Sequence, residues 1–190
     1  MPVTVVSGVP GVGASQVCEG ARKALGEGYE LLNFGDVMLE EAIAREGVTS
    51  RDDLRELSLR ETRLLQRRAG EFVAERARET HVLLNTHVAV DTANGYVPGL
   101  PGPVLDDLAP EQFVLVEADA ETVLDRREDD TYRKYGTEGL RRISFEQDLN
   151  RAAAINNAMA FGAPIQLIEN TGSLEEAVAT LVEMVETAPR

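Results

Sequence analysis

The sequence predicts an α/β fold, a five-stranded parallel sheet with helices on both faces. Two observations carry that expectation. Short β-branched or aliphatic runs alternate with stretches of helical period, and the first run passes through a glycine-rich loop straight into a helix. The 190 residues suit one domain, 1–190, with a sizeable core and small insertions. No internal repeat or low-complexity linker divides them.

The first strand, Val3-Thr4-Val5-Val6-Ser7, stops at Gly8. Val9, Pro10, Gly11 and Val12 separate it from Gly13, and Ala14, Ser15 and Gln16 open a helix over 15–26. This is the layout of a phosphate-binding loop, G-x-x-x-x-G-K-[ST], with Ala14 where the pattern has lysine. Glycines let successive backbone N–H groups turn toward an anion, and the helix start adds the positive end of its dipole. Ser15 is the hydroxyl expected on a magnesium ion.

Tyr29 to Phe34 form the second strand candidate, and Gly35-Asp36 open a helix with Val37, Met38, Ala42 and Ile43 on one face, closing at Gly47. Ser50-Arg51-Asp52-Asp53 and Ser58-Leu59-Arg60-Glu61 have the spacing of capping boxes. The second box starts a long helix to about Thr80, with Leu65, Ala69, Phe72, Val73 and Ala77 as its buried stripe. Three helices between two strands exceed what a crossover needs, so part of 36–70 is expected to project as a flap. His81 to Thr86 make the third strand, followed by a Gly/Pro-rich loop from His87 to Pro103. Phe113 to Glu117 make the fourth, with a helix from about Asp119 to Arg127. The polar, aperiodic stretch from 128, extending to about 142, has the composition of a lid. A helix from about Glu138 to Phe161, with an interruption expected near Ser144, leads to the fifth strand, Ile165 to Ile168. Asn170-Thr171-Gly172 turn the chain, and Ser173 to Glu176 cap the last helix. Met38 and Met159 read as core fillers, and His81 as structural. His87 follows the C-terminal end of a strand, where ligands bind in such sheets, and is a candidate nucleotide contact.

The net charge of −14, from 33 acidic and 19 basic residues, argues against nucleic acid or an anionic membrane as partner. Only Lys23 and Lys134 are lysines. An acid-rich, lysine-poor surface is what a high-salt cytoplasm selects, because carboxylates hold water and salt screens their repulsion. The single cysteine, Cys18, excludes an internal disulfide and reads as a packed side chain rather than a nucleophile. With no long apolar run, a soluble, cytoplasmic protein is expected.

Thirteen of the nineteen basic residues fall in two stretches, 51–68 and 126–151. An acidic protein that binds polyphosphate must concentrate its cations, and arginine forks match phosphate oxygens. Arg51, Arg55, Arg126, Arg133 and Arg151 sit at the expected flap and lid boundaries and are assigned to phosphate. Arg60, Arg63, Arg67, Arg68, Arg141 and Arg142 are assigned to solvated helix faces, paired with acids at i±4.

Together these features resemble adenylate kinase of the archaeal type over nearly the whole chain. The resemblance is carried by the loop Gly8 to Gly13, by Asn33-Phe34-Gly35-Asp36-Val37-Met38, by Arg51-Asp52 and Thr86-His87, and by Gly95-Tyr96-Val97-Pro98-Gly99-Leu100-Pro101. Arg126-Arg127 and Asn150-Arg151 complete it. It implies a P-loop kinase catalysing ATP + AMP ⇌ 2 ADP with Mg2+, assembled as a homotrimer. It also implies that Gly8 to Gln16 bind ATP, that Phe34, Gly35, Arg51, Arg55, Gly95, Tyr96, Pro98, Gly99 and Leu100 form the AMP site, and that Arg126, Arg127, Arg133 and Arg151 neutralise the transferring group. The chain departs from the pattern at Ala14 and at Asn85, where the family has an acid ending the third strand. The family's second lid arginine has no clear counterpart after Arg133. A catalytically impaired nucleotide-binding regulator, or another small-molecule kinase, remains the alternative.

Overall fold

The computed structural model describes residues 2–44, 48, 50, 53–92, 95–130 and 139–188. Five strands, β1 (Val3–Ser7), β2 (Tyr29–Asn33), β3 (His81–Thr86), β6 (Gln112–Glu117) and β7 (Ile165–Glu169), form one sheet in the order β2-β3-β1-β6-β7. Every pairing in it is parallel, as expected from the alternation of strand and helix. Side chains alternate across it. Val3 and Val5 of β1, Val82 and Leu84 of β3, and Phe113 and Leu115 of β6 enter one core. Val6, Leu83, Val114 and Val116 enter the other.

The first core is covered by α2 (Phe34–Ile43), α3 (Leu59–Arg76), α4 (Gly102–Leu108) and the C-terminal half of α6 (Leu140–Phe161). The second is covered by α1 (Ala14–Leu25), α5 (Ala120–Glu128) and α7 (Leu174–Glu186). α1 buries Ala14, Val17, Cys18 and Ala21, the i, i+3, i+4, i+7 set of one helix face. α2 starts one residue earlier than expected because Asn33 Oδ1 accepts from the N–H groups of Gly35 (3.0 Å) and Asp36 (3.3 Å). The Ser58–Glu61 capping box is complete and starts α3 as the sequence predicts. The Ser50–Asp53 box also forms, but it heads only a 3₁₀ turn at Asp53–Arg55.

Other expectations are corrected. The stretch after β3 is not an irregular loop: Ala89–Thr92 (β4) and Gly95–Pro98 (β5) pair as a separate antiparallel hairpin, and α4 follows. α6 runs unbroken past Ser144, whose exposed side chain leaves the helical ladder intact. α3 ends at Arg76 and closes in turns to Thr80. Phe72 is 39% exposed and Met159 63%, so neither fills the core; Phe72 faces a cavity described below. His81 is structural, with Nε2 3.0 Å from the buried Thr4 hydroxyl and its ring against Tyr29. Among the described residues no helix is long and apolar enough to cross a membrane.

Candidate active site

The loop between β1 and α1 lies at the C-terminal edge of the sheet, where the strand order reverses around β1. Its glycines are required by space as well as by conformation. Gly11 and Gly13 have φ of 93° and 85°. A Cβ on Gly13 would lie 2.5 Å from Asn170 Nδ2, and one on Gly8 only 2.7 Å from the Val116 carbonyl oxygen. Val9 and Val12 bury their side chains and leave only backbone for a ligand. α1 has no side-chain cap at Gly13, so its first-turn N–H groups remain for an anion.

The loop carbonyls, by contrast, are taken up by side chains from distant elements. Arg127 donates Nε to Pro10 (2.8 Å). Arg126 donates Nη1 to Val12 (3.3 Å) and Nη2 to the Asn170 carbonyl (2.9 Å). Asn170 donates Nδ2 to Val12 (2.8 Å), and its buried Oδ1 has no hydrogen-bond partner among the described residues. His87 Nδ1 meets the Gly8 carbonyl, which only accepts, so that nitrogen carries the proton. Holding the carbonyls from outside directs the peptide N–H groups the other way, toward the phosphate position.

Ser15 receives a hydrogen bond from Asn85 Nδ2 (2.9 Å). Both line a cavity of about 630 Å³ with Glu19, Leu31, Leu32, Asn33, Asp36, Val37, Glu40 and Phe72. Ser7 at the end of β1 donates to Asn150 Oδ1 (2.9 Å) and accepts from the Val88 N–H (3.3 Å), joining the loop's base to α6 and to the start of the hairpin segment.

Glu146 is the centre of a second network. Its Oε2 accepts from Arg127 Nη2 (2.9 Å), and its Oε1 accepts from Arg142 Nε (2.8 Å) and the Tyr96 hydroxyl (3.0 Å). Arg142 also reaches Asp91 (3.0 Å) and lies 5.3 Å from the Tyr96 ring centroid. Burial pushes the Glu146 carboxyl up, but the bonds from Arg142, Arg127 and Tyr96 outweigh it and hold it below its ordinary range. The Tyr96 phenol is pushed up by burial and by the Glu146 charge, so it stays a donor. Cys18 is buried and pushed up to about 12, far from a nucleophile.

The structure brings Gly8 to Gln16 and Arg126 together at the loop. Arg151, exposed on α6, forks onto Glu117 (Nη2–Oε2 2.7 Å, Nε–Oε1 3.0 Å) and also bonds Asp148 (2.9 Å). Arg127 is corrected: only 4% exposed, it is spent on Pro10 and Glu146 and supports the loop from below rather than facing it. Phe34 and Leu100 are core residues, 2% and 1% exposed, so their side chains offer no ligand surface. Gly35 is the second residue of α2, donating its N–H to Asn33 Oδ1, and Gly95 (φ 104°) begins β5. Pro98 and Gly99 present carbonyls to Gln66 Nε2 (2.8 and 3.2 Å). Arg51 and Arg133 lie outside the described residues, as does the Arg55 side chain. Of the arginines assigned to helix faces, Arg67 pairs with Glu71 at i+4 as expected. Sequence reasoning missed Asn170 and Glu146. Asn170 directly follows a strand's C-terminal end, which was the available signal, whereas Glu146 looks like an ordinary i+4 partner of Arg142.

A family model described as an AAA domain matches residues 7–144. In fold, the chain is similar to shikimate kinase from Acinetobacter baumannii, solved with shikimate (TM-score 0.62, 12% identity, covering 98% of this chain and 94% of that one). It is also similar to a sugar kinase from Janibacter (TM-score 0.58, 17% identity, covering 100% and 96%). Fold and loop together define the P-loop kinase fold. Among curated proteins, the chain is 40% identical over 187 residues to adenylate kinase of Methanothermobacter thermautotrophicus, covering 98% of this chain and 100% of that one. It is 41% identical to that of Pyrococcus abyssi (98% and 96% covered) and 42% identical to that of Methanopyrus kandleri (96% and 97%). The chain belongs to the adenylate kinase family.

Proposed function

We propose that the protein catalyses reversible, magnesium-dependent transfer between ATP and AMP, giving two ADP. The observation that carries this is the loop whose carbonyls are held from outside while the uncapped N–H groups at the start of α1 stay open beside the Ser15–Asn85 cavity. Phosphoryl transfer asks a protein mainly for positioning and charge stabilisation. In this scheme N–H groups from Gly8 to Ser15 bind the donor phosphates, with Gln16 beside them. Arg51 or Arg55 holds the AMP phosphate, and the Gly95–Pro101 segment lines the acceptor adenine. Arg126, Arg133 and Arg151 neutralise the transferring group. No general base is required, because the attacking phosphate oxygen is already anionic. Residues from about 36 to 70 act as the acceptor flap and those from about 128 to 142 as the lid of a single domain.

Ser15 fits a magnesium ligand. Asn85 takes up one lone pair of its oxygen and leaves another, and the cavity adds only oxygen-bearing polar groups, Asp36, Glu19 and Glu40 among them. Magnesium held there by Ser15 would neutralise negative charge on the donor phosphates. A cytoplasmic homotrimer is part of the same proposal and rests on the resemblance.

An ADP-forming assay with AMP, CMP, UMP and GMP, with and without magnesium, tests the proposal. AMP is expected to be the preferred acceptor and turnover to require the metal. Comparable rates with CMP or UMP overturn the acceptor assignment, and nucleotide binding without turnover marks a regulator instead.

A further inference from the structure

We infer that Glu146 is a positioning residue that ties the β4–β5 hairpin to the phosphate loop, so that a nucleotide on either one tightens binding at the other. The inference rests on the proposed placement of the acceptor at the hairpin. Three hydrogen bonds make the tie. The Tyr96 hydroxyl of β5 donates to Oε1 of Glu146 (3.0 Å), Arg127 donates Nη2 to Oε2 (2.9 Å), and the same Arg127 donates Nε to the Pro10 carbonyl (2.8 Å). The two charged members are withdrawn from water: Arg127 is 4% exposed and Glu146 9%. Charge-assisted bonds in such surroundings are stiff and directional. A shift of the hairpin that moves the Tyr96 hydroxyl therefore reaches a loop carbonyl through one carboxylate and one guanidinium.

The carboxylate is chemically required. Glu146 accepts from three donors on two oxygens. A glutamine offers one accepting oxygen and one NH₂ group, so it satisfies Arg127 or the Tyr96–Arg142 side, but not both. With its oxygen on Arg127, a glutamine turns its NH₂ group toward the Tyr96 hydroxyl, which can accept, and toward Arg142, which cannot, so Glu146→Gln loses the charge and the Arg142 bond and weakens the tie. Tyr96→Phe removes the direct bond from the hairpin, leaves Arg127 on Pro10, and keeps only the longer link from Asp91 through Arg142 to Glu146. A merely structural role for Glu146 predicts lower stability in both variants but no change in how one nucleotide affects the other.

Coupling between sites is a ratio of affinities and is reciprocal. The experiment is calorimetric titration of AMP with and without a non-hydrolysable ATP analogue, and of the analogue with and without AMP. It uses the wild type, Tyr96→Phe and Glu146→Gln, each confirmed folded by its melting transition. The wild type is expected to show mutual tightening of about 5-fold or more. Tyr96→Phe is expected to lower that ratio at least about twofold while the affinity for the analogue alone changes less than about twofold. Glu146→Gln is expected to lower the ratio as well. Any direct bond from the Tyr96 hydroxyl to AMP weakens both AMP titrations equally and so cancels in the ratio. Wild type without coupling, or Tyr96→Phe with the wild-type ratio, overturns the inference. If AMP does not bind, the acceptor assignment has failed instead, and the same titrations with CMP, UMP or GMP score the tie with whichever acceptor binds.

Discussion

The phosphate loop and the hairpin that follows β3 are fastened in opposite ways. The loop is gripped through its carbonyls by Arg126, Arg127, Asn170 and His87, side chains drawn from α5, from the end of β7 and from the exit of β3. Among the described residues, the hairpin strands pair only with each other. It is tethered at its base by Gln66 and by Gly99, where a Cβ would lie 1.7 Å from the His87 carbonyl oxygen, and at its edge by Tyr96 and Asp91. Each fastening matches the task of its segment. A transferring phosphoryl group needs donors fixed before it arrives, since reorganising them during the reaction would add to the barrier. An acceptor platform has only to present a surface, and light fastening suffices.

The comparison breaks or holds most visibly on the two sides of Glu146. Arg127→Met keeps the stem's volume but removes a buried charge from a buried carboxylate and a donor from Pro10. Breaking one partner of a buried pair costs about 3–5 kcal/mol, and the low end applies because Arg142 and Tyr96 stay on Glu146. For a chain of this size that is a fall in Tm of about 6–12 °C. Tyr96→Phe removes one hydrogen bond and should cost about 0.5–1.5 kcal/mol. Thermal melts of the two variants decide the matter. Equal losses would mean the hairpin is held as firmly as the loop.

What the sequence disclosed follows the range of the interactions. The five sheet strands are legible because each is a local run of β-branched and aliphatic residues, and the loop is legible because its glycines and its helix are contiguous. The grips on the loop are not: Arg126 and Asn170 reach Val12 from 114 and 158 residues away, and no spacing rule connects them. The hairpin escaped because Ala89–Thr92 and Gly95–Pro98 are four residues each, set among glycines and prolines that read as turn. Phe72 has the spacing of a core residue and lines a cavity instead, which periodicity alone does not distinguish. Arg127 and Arg142 look alike as cations near a lid. Only burial separates the loop's support, 2% exposed at its side chain, from the hairpin's clasp at 44%.

A smaller effect is expected where the loop lacks its lysine. Ala14 is 7% exposed and belongs to the core under α1, so a long side chain there must displace packed neighbours or turn out of that core. If the held loop and its arginines already neutralise the donor, Arg151→Ala should lower kcat at least about tenfold, about 1.4 kcal/mol, with less change in ATP affinity. Ala14→Lys should change kcat much less. Steady-state kinetics at saturating magnesium compare the two. A large gain from Ala14→Lys, with Arg151→Ala near wild type, would make the absent lysine a defect rather than a substitution the site has absorbed.

The smallest effect is a change of slope with pH, and it arises where the two regions meet. The Glu146 carboxyl lies below its ordinary value of 4.5: burial acts to raise it, and the bonds from Arg142 and Arg127 overcome that. A depressed folded pKa means the unfolded chain takes up the proton first as pH falls. The stabilisation is therefore fully present above about 4.5 and is lost as pH drops through the lower folded value. Protonated Glu146 resembles glutamine in charge and in having a single strong acceptor. The Tm of Glu146→Gln should thus lie below that of the wild type at pH 7, and the gap should close as both are taken from pH 6 toward pH 3. Paired melts along that series measure the gap directly. A gap that stays constant would mean that the carboxylate's charge does not hold Arg127 and Tyr96 together, and that loop and hairpin are fastened independently.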